Sequence, residues 1–349
     1  MTDALSFAER VVRWQRQQGR HQLPWQNPRT PYRVWISEIM LQQTQVQTVV
    51  SYFNAFMHRF PDVRQLAQAS EDDVLSAWSG LGYYSRARNL HRCAQDVVQL
   101  WGGELPTRSE DLERLPGIGP STAAAIAALC HGERISIMDG NVQRVLTRWL
   151  AHADDLILAS SRKALQTQAQ ALLPTDAQSM QPYTQGLMDL GALVCKPKQP
   201  DCEACPLGSD CQARRLGKPL DYPVKTRKLT RRSESWWLLL MQTRQGQLGL
   251  VQRPAAGVWA RLWSLPMFAS ESAAMATLPN ACLPHLAWQP PLKHVLTHRD
   301  WWLNVGVVSL SQPLDMAGLV WLDPDQALQR ALPQPIRACI QGWQARAKS

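Results

Sequence analysis

Two carboxylates and four thiols stand where acid–base and metal chemistry would need them. Glu38 lies in Val34-Trp-Ile-Ser-Glu-Ile-Met-Leu41, an acid inside an apolar helical run. It either faces water along one stripe or is dehydrated. Dehydration disfavours the anion, and a carboxyl whose pKa rises toward neutrality can act as a general acid. Asp139 lies in Ile135-Ser-Ile-Met-Asp-Gly-Asn-Val142, just ahead of an expected helix. Asp is a favoured N-cap, and the positive end of a helix favours its ionised form. One protonated acid and one persistent anion form the pair that breaks a glycosidic bond. The acid protonates the leaving group, and the anion supports an oxocarbenium-like sugar.

The thiols Cys195, Cys202, Cys205 and Cys211 follow the spacing C-x6-C-x2-C-x5-C, interrupted by Pro197, Pro200 and Pro206. Zinc sites usually join two short knuckles, and only one is present here. A [4Fe–4S] cluster takes one thiolate per iron and accepts uneven arms. The cluster is expected, with zinc or four unligated thiols as alternatives. Cys93, Cys130, Cys282 and Cys339 are scattered and are expected to pack as small apolar side chains. A third feature is Leu115-Pro-Gly-Ile-Gly-Pro-Ser-Thr-Ala123. Gly117 and Gly119 permit a tight turn and close approach of a ligand, and a helix start follows with unpaired N–H groups. With a short helix before it (Leu112, Leu115), this makes a helix–hairpin–helix that grips DNA phosphate without reading sequence. The alternative is an ordinary glycine turn.

The elements that must position these groups fall into two classes. The chain has 349 residues, 45% apolar and 19% charged, which excludes a disordered chain and suggests two domains. No apolar run reaches the length of a membrane span, and the N-terminal stretch lacks a secretory h-region. Helix-period apolar positions occupy Ser6–Gln18, Pro31–Phe56, Glu71–Ser79, Ser85–Leu100 and Ser121–Cys130. Strand-like runs occupy Trp236–Gln242, Leu248–Gln252, Trp301–Leu310 and Leu319–Asp323. Between them lies the basic stretch Lys225–Arg232, expected to be an exposed linker. The net charge is 37 − 28 = +9. Residues 1–194 are balanced at 18 basic and 18 acidic, residues 195–232 carry 10 − 4 = +6, and residues 233–349 carry 9 − 6 = +3. Two thirds of the excess therefore sits on the cysteine loop and linker, and it favours nucleic acid as partner.

Together these pieces resemble the endonuclease III superfamily of DNA glycosylases, and within it the MutY-type adenine glycosylases. The resemblance runs from about residue 5 to 215. It is carried by Leu23-Pro-Trp25, the run from Pro31 to Gln45, Gly80-Leu-Gly-Tyr-Tyr-Ser-Arg-Ala-Arg-Asn-Leu90, the hairpin, Asp139-Gly-Asn-Val-Gln-Arg-Val145, Met188-Asp-Leu-Gly-Ala192 and the cysteine spacing. It implies that Glu38 protonates N7 of a flipped adenine, that Asp139 stabilises or captures the C1′ cation, and that Asn141 orients the pair. Leu23, Trp25, Ser121, Gln185 and Met188 correspond to adenine-pocket positions. Gln43, Thr44 and Tyr83 correspond to residues that wedge into the duplex beside the extrahelical base. Gly117, Gly119, Arg86 and Arg88, with Arg92, are expected on the DNA backbone. Bifunctional relatives carry a lysine where this chain has Ser121, and the first lysine in the chain is Lys163. Without that amine no Schiff base forms, so a monofunctional glycosylase is expected.

The implied fold is mainly α in the N-terminal part, with an α+β Nudix-like domain behind it. The expected boundaries are a helix–hairpin–helix glycosylase domain over 1–217 with its cluster loop at 195–211, a basic linker over 218–233, and a Nudix-like 8-oxoguanine recognition domain over 234–349. The last domain lacks the carboxylate run that holds Mg²⁺ in true Nudix hydrolases: between Pro266 and Leu283 the only acid is Glu271. Leu292-Lys-His-Val-Leu-Thr-His298 corresponds to the lesion-reading loop, with Thr297 and His298 as contacts; the family often has Phe-Ser-His where this chain has Leu296-Thr-His298. The expected partner is double-stranded DNA with an 8-oxoguanine:adenine or guanine:adenine mispair. The chain is expected to act as a cytoplasmic monomer with no membrane partner. Competing readings are a glycosylase for oxidised pyrimidines or thymine mismatches, a non-catalytic iron–sulfur DNA-binding protein, and a nucleotide pyrophosphohydrolase.

Overall fold

The computed structural model describes residues 5–226 and 231–347. The chain forms two compact units. One contains residues up to Ala67 together with Arg92–Arg227; the other contains Gln68–His91 and the chain after Lys228.

The first unit is helical. It contains α1 (Phe7–Gln18), α2 (Pro31–Leu41), α3 (Val46–Arg59) and most of α4 (Val63–Gln68). α5 (Glu71–Ala77) and the start of α6 (Ser85–Leu100) belong to the second unit, and the chain then returns to the first. There follow α7 (Ser109–Leu112), α8 (Pro120–His131), α9 (Gly140–Leu150), α10 (Ala159–Ala171), α11 (Met180–Leu193) and α12 (Gln212–Arg215). α1 begins in a capping box: Ser6 Oγ accepts from the Glu9 amide, and Glu9 accepts from the Ser6 amide. α8 is apolar nearly all round and is buried from Thr122 to Leu129, packed against α2 and α11. Phe53 and Phe56 of α3 are fully buried, each contributing roughly 1.5–3 kcal/mol.

One expected helix divides. Pro31–Phe56 is broken at residues 42–45, where Gln43 takes a left-handed φ of 60°. The segment Gln42-Gln43-Thr44-Gln45 is entirely polar, so no apolar face is lost by leaving the helix.

The second unit is built on one sheet, in the order β3 (Trp263–Ser264), β2 (Leu248–Gln252), β1 (Arg232–Thr243), β7 (Arg299–Leu310), β5 (Ala287–Trp288). Three further strands attach: β4 (Met267–Phe268) to β1, β6 (Leu292–Val295) to β7 and β8 (Leu319–Leu322) to β2. β1 and β7 run parallel in register from Arg232↔Arg299 to Thr243↔Leu310; the other pairs are antiparallel. Leu238–Met241 are four consecutive buried residues, as in a strand covered on both faces. The helices here are α13 (Glu271–Ala276), α14 (Pro324–Gln329) and α15 (Gln334–Ala347). Trp236, Trp259 and Trp301 pack ring against ring.

The sequence pattern puts residues 68–91 in the first domain. By contact they group with the second unit. Ser79 Oγ and Tyr84 Oη both donate to Leu332 O, at 2.7 and 3.3 Å, and Arg330 pairs with Asp72. The expected linker is also partly structured. Leu156 N donates to Val224 O, Thr226 is bonded to Asp155, and Arg232 already belongs to β1. Arg227, Lys228, Leu229 and Thr230 of that linker lie outside the described residues. Among the described residues no helix is long and apolar enough to cross a membrane.

Candidate active site

α2 carries Glu38 to the wall of a small cleft in the helical unit. Leu23, Trp25, Gln185 and Met188 line the same cavity, as do Arg20, Arg29 and Ser37. Its lining mixes apolar side chains with a few polar groups, a combination that suits recognition of a flat heterocycle. Glu38 is half-buried as a residue, but protein atoms surround its carboxyl group, and the dehydration of that group governs its ionisation. Burial, followed by the nearby charge of Asp139, raises its pKa to about 8. The carboxyl is therefore protonated at neutral pH.

Asp139 is the N-cap of α9. Its Oδ1 accepts from the Val142 amide at 2.7 Å, and its Oδ2 accepts from Asn141 Nδ2 at 3.1 Å. The helix-start argument alone implies an acid held low. The structure adds dehydration, which is the largest cause and shifts the pKa above its ordinary value, against the hydrogen bonds from Val142 and Asn141. The charge of Asp139 reaches Glu38, so the fold brings the two carboxylates of the sequence near one another, although Asp139 is not among the residues that line the cleft. Ser121, the second residue of α8, is not among the cavity's lining residues.

Two roles were not legible in the sequence. Asp189 is fully buried and accepts from Arg20 N at 2.8 Å, Arg20 Nε at 2.7 Å and Gln185 Nε2 at 3.0 Å. An ionised carboxylate only accepts, so it sets the Gln185 amide group with its nitrogen toward Asp189. Arg144 donates through Nη2 to Asn141 Oδ1 at 2.8 Å and through Nε to Cys195 O at 2.7 Å, joining the carboxylate site to the cysteine loop. The signal for Asp189 was an acid within an apolar helix. Arg144 lies one helical turn beyond Asn141, but its second partner is far away in sequence.

Cys195, Cys202, Cys205 and Cys211 line one cavity together with Val145, Arg148 and Trp149. Burial raises the Cys205 thiol to about 12 and shifts Cys202 and Cys211 upward. Buried Arg148 donates to Lys196 O at 2.7 Å and Pro197 O at 2.9 Å, and lies 3.4 Å from Cys195 Sγ. Among the described residues, no three His, Cys, Asp or Glu side chains converge as ligands of a single metal ion. The four thiols share a cavity rather than a point. Cys93 is buried as expected, while Cys130, Cys282 and Cys339 are half-buried.

The hairpin divides its glycines by role. Gly117 has φ 78°, which favours glycine, and Gly119 caps α8 with an ordinary φ of −89°. A Cβ at Gly119 would meet open space. Gln43 and Thr44 form the turn after α2, with Gln43 exposed.

In the second unit Tyr83 is 43% exposed with φ 48°, and its hydroxyl lies 2.8 Å from Thr297 Oγ1. Thr297 and His298 share a groove with Gly80, Trp259 and His294. Burial lowers the pKa of His294, whose ring packs 5.4 Å from that of Trp259. Arg86 and Arg88 are bonded to main-chain carbonyls: Arg86 to Leu81 and Gly82, Arg88 to Ala260.

Comparison with known proteins accords with this architecture. Residues 36–174 match the HhH-GPD superfamily of base excision DNA repair proteins, and residues 237–342 match the NUDIX domain. The adenine DNA glycosylase of Buchnera aphidicola subsp. Schizaphis graminum is 37% identical over 265 residues, 75% of each chain. That of Buchnera aphidicola subsp. Baizongia pistaciae is 34% identical over 343 residues, 96% of each chain. The human adenine DNA glycosylase is 34% identical over 320 residues, covering 76% of this chain and 58% of the human one. Among solved structures, a thermostable thymine-DNA glycosylase is similar at 26% identity and a TM-score of 0.53, covering 60% of this chain and 95% of that one. Endonuclease III in a non-covalent DNA complex shares the fold, at a TM-score of 0.50 and 19% identity over 60% of this chain and 95% of that one. With a buried acid beside a capped carboxylate in a helix–hairpin–helix unit, and near-full-length relatives of one kind, the chain belongs to the adenine DNA glycosylase family of base excision repair enzymes.

Proposed function

We propose that the enzyme excises adenine paired with 8-oxoguanine, and less readily with guanine, from double-stranded DNA, and leaves an abasic site. The observation that carries this is the dehydrated Glu38 carboxyl in a cleft lined by Leu23, Trp25, Gln185 and Met188, within reach of the charge of Asp139. Glu38 donates its proton to N7 of the flipped adenine, which makes the base a better leaving group. Asp139, held by Val142 and Asn141, presents its carboxylate to the developing C1′ cation. Gln185 and Met188 contact the base, and water completes the hydrolysis. Ser121 supplies no amine, so no imine forms and the strand stays intact.

The grip on DNA comes from placed groups. The open space at Gly119 and the free first turn of α8 suit a phosphate, which approaches more closely than a side chain would allow. Gln43 and Tyr83, both in left-handed backbone, act as wedges; such strain gathers at functional sites. Thr297 and His298 read the opposite base. The basic excess of the cysteine loop and linker adds a phosphate-facing surface. The chain acts as a monomer.

The four cysteines fit a [4Fe–4S] cluster. They surround one cavity, they are the donors such a cluster uses, and Arg148 braces their loop. Cys195, Cys202, Cys205 and Cys211 would hold it, and their ligation would tie the loop together and stiffen it. About four irons and four acid-labile sulfides per chain are expected in protein purified without oxygen. Cys205→Ala should lose most of that iron and lower the thermal unfolding midpoint. One zinc per chain without sulfide would reject the cluster.

The function is tested with a duplex carrying one 8-oxoguanine:adenine pair. Adenine should be released, a strand break should appear only after alkali, and borohydride should trap no protein–DNA adduct. No release at all defeats the proposal. A break without alkali restores the bifunctional alternative.

A further inference from the structure

Tyr83 is a large side chain in left-handed backbone at an exposed loop, a conformation that costs roughly 1–2 kcal/mol and persists only where its surroundings enforce it. The enforcement is layered. Trp78 is fully buried and donates through Nε1 to Gly82 O at 3.2 Å. Above it lies the Arg86 guanidinium, with its central carbon 5.4 Å from the Trp78 ring centroid and 5.4 Å from the Tyr83 ring centroid. Arg86 Nη2 points to Leu81 O at 3.4 Å and Gly82 O at 3.2 Å, and its amide donates to Tyr83 O at 2.9 Å. Gly80 and Gly82, both at positive φ, let the carbonyls turn inward toward that guanidinium. Dehydration lowers the Arg86 pKa to about 10, so it remains a cation at neutral pH.

We propose that Arg86 is a positioning residue, which holds the Tyr83 ring ready for insertion from below, instead of neutralising a DNA phosphate. The planar guanidinium is needed because it lies over both rings while its edge meets the loop carbonyls. A lysine offers the same charge as a point and no such plate. The inference rests on Tyr83 being the lesion wedge, as proposed above.

The test compares wild type, Arg86→Lys, Arg86→Met, Tyr83→Ala and Tyr83→Ala with Arg86→Lys. Binding is measured to a duplex with 8-oxoguanine opposite 2′-fluoro-deoxyadenosine, which resists cleavage, and to the matched duplex, over a range of salt. Arg86→Lys should reduce the preference for the lesion duplex about tenfold while leaving matched-duplex binding unchanged. In the Tyr83→Ala background it should cause no further loss of lesion preference, because the ring through which it acts on the lesion has been removed. Arg86→Met should keep the salt slope of the matched duplex. A slope shallower by about 0.9 would reveal a phosphate contact and overturn the proposal. Full lesion preference in Arg86→Lys would overturn it too, as would an equal loss with and without Tyr83, which would mark Arg86 as merely structural. If wild type itself shows no lesion preference, the mispair assignment under the proposed function fails first, and the wedge role falls with it.

Discussion

Glu38→Gln should lower the single-turnover rate of adenine release by at least about 10³-fold while leaving mispair binding within a few-fold. Glutamine keeps the shape and loses the proton. The pH dependence supplies a sharper signature. Glu38 acts in its protonated form and has a pKa of about 8, so excision should fall tenfold per unit as pH rises above that value. The same shift predicts a stability effect with a definite sign. The folded pKa lies above the ordinary value of 4.5, so the native state holds one more proton than the unfolded chain between pH 4.5 and about 8. Stability from this group is full below 4.5 and is lost as pH rises through that window, at roughly 1.4 kcal/mol per unit. Glu38→Gln should therefore be more stable than wild type at pH 8, with the difference shrinking toward pH 4.5. Denaturant unfolding at several pH values measures this. A variant that loses binding and stability together would make Glu38 a structural residue.

Asp139→Asn should lower the rate by about 10²–10³-fold, the usual cost of removing a charge aimed at a developing ion. Asparagine caps helices about as well as aspartate, so unfolding free energy should stay within about 1 kcal/mol of wild type. Asp139 works ionised, and burial raises its pKa, so wild-type activity should also fall in acid, at a pH above the ordinary carboxylate value of 3.8. The wild-type profile is then a bell, and Asp139→Asn should lose its acid limb. Retained activity with a cooperative fold would remove Asp139 from the chemistry. If activity fell only because α9 frayed, the loss would follow stability instead of pH.

Much of this was written in the chain. Apolar periodicity located α1 and α8, and alternation or short apolar runs located β1, β2, β7 and β8. These are local signals, because a face that must be buried repeats at the period of its element. The cysteine spacing, the glycines of the hairpin and the absence of a lysine at 121 were equally local. They point to a chemistry without reference to any long-range contact.

Other properties arise only when distant segments meet. Glu38 and Asp139 are 101 positions apart, and the acid's pKa depends on dehydration and on that second charge, neither of which is local in sequence. The partners of Asp189 and Arg144 are of the same kind: Arg20 lies 169 residues from Asp189, and Cys195 lies 51 from Arg144. Arg86 reads in the sequence as one more cation for phosphate, yet the fold sets it against two rings and the loop carbonyls. The break at Gln43 and the grouping of residues 68–91 with the sheet unit also escaped the pattern. The sequence by itself determined the elements, the donor sets and the class of bond to be broken, because these follow from residue type and short-range spacing. The tertiary structure alone decided which carboxyl is dry, which cation is spent on the protein and which side chain is held under strain, because those depend on what each group loses to water and gains from neighbours far along the chain.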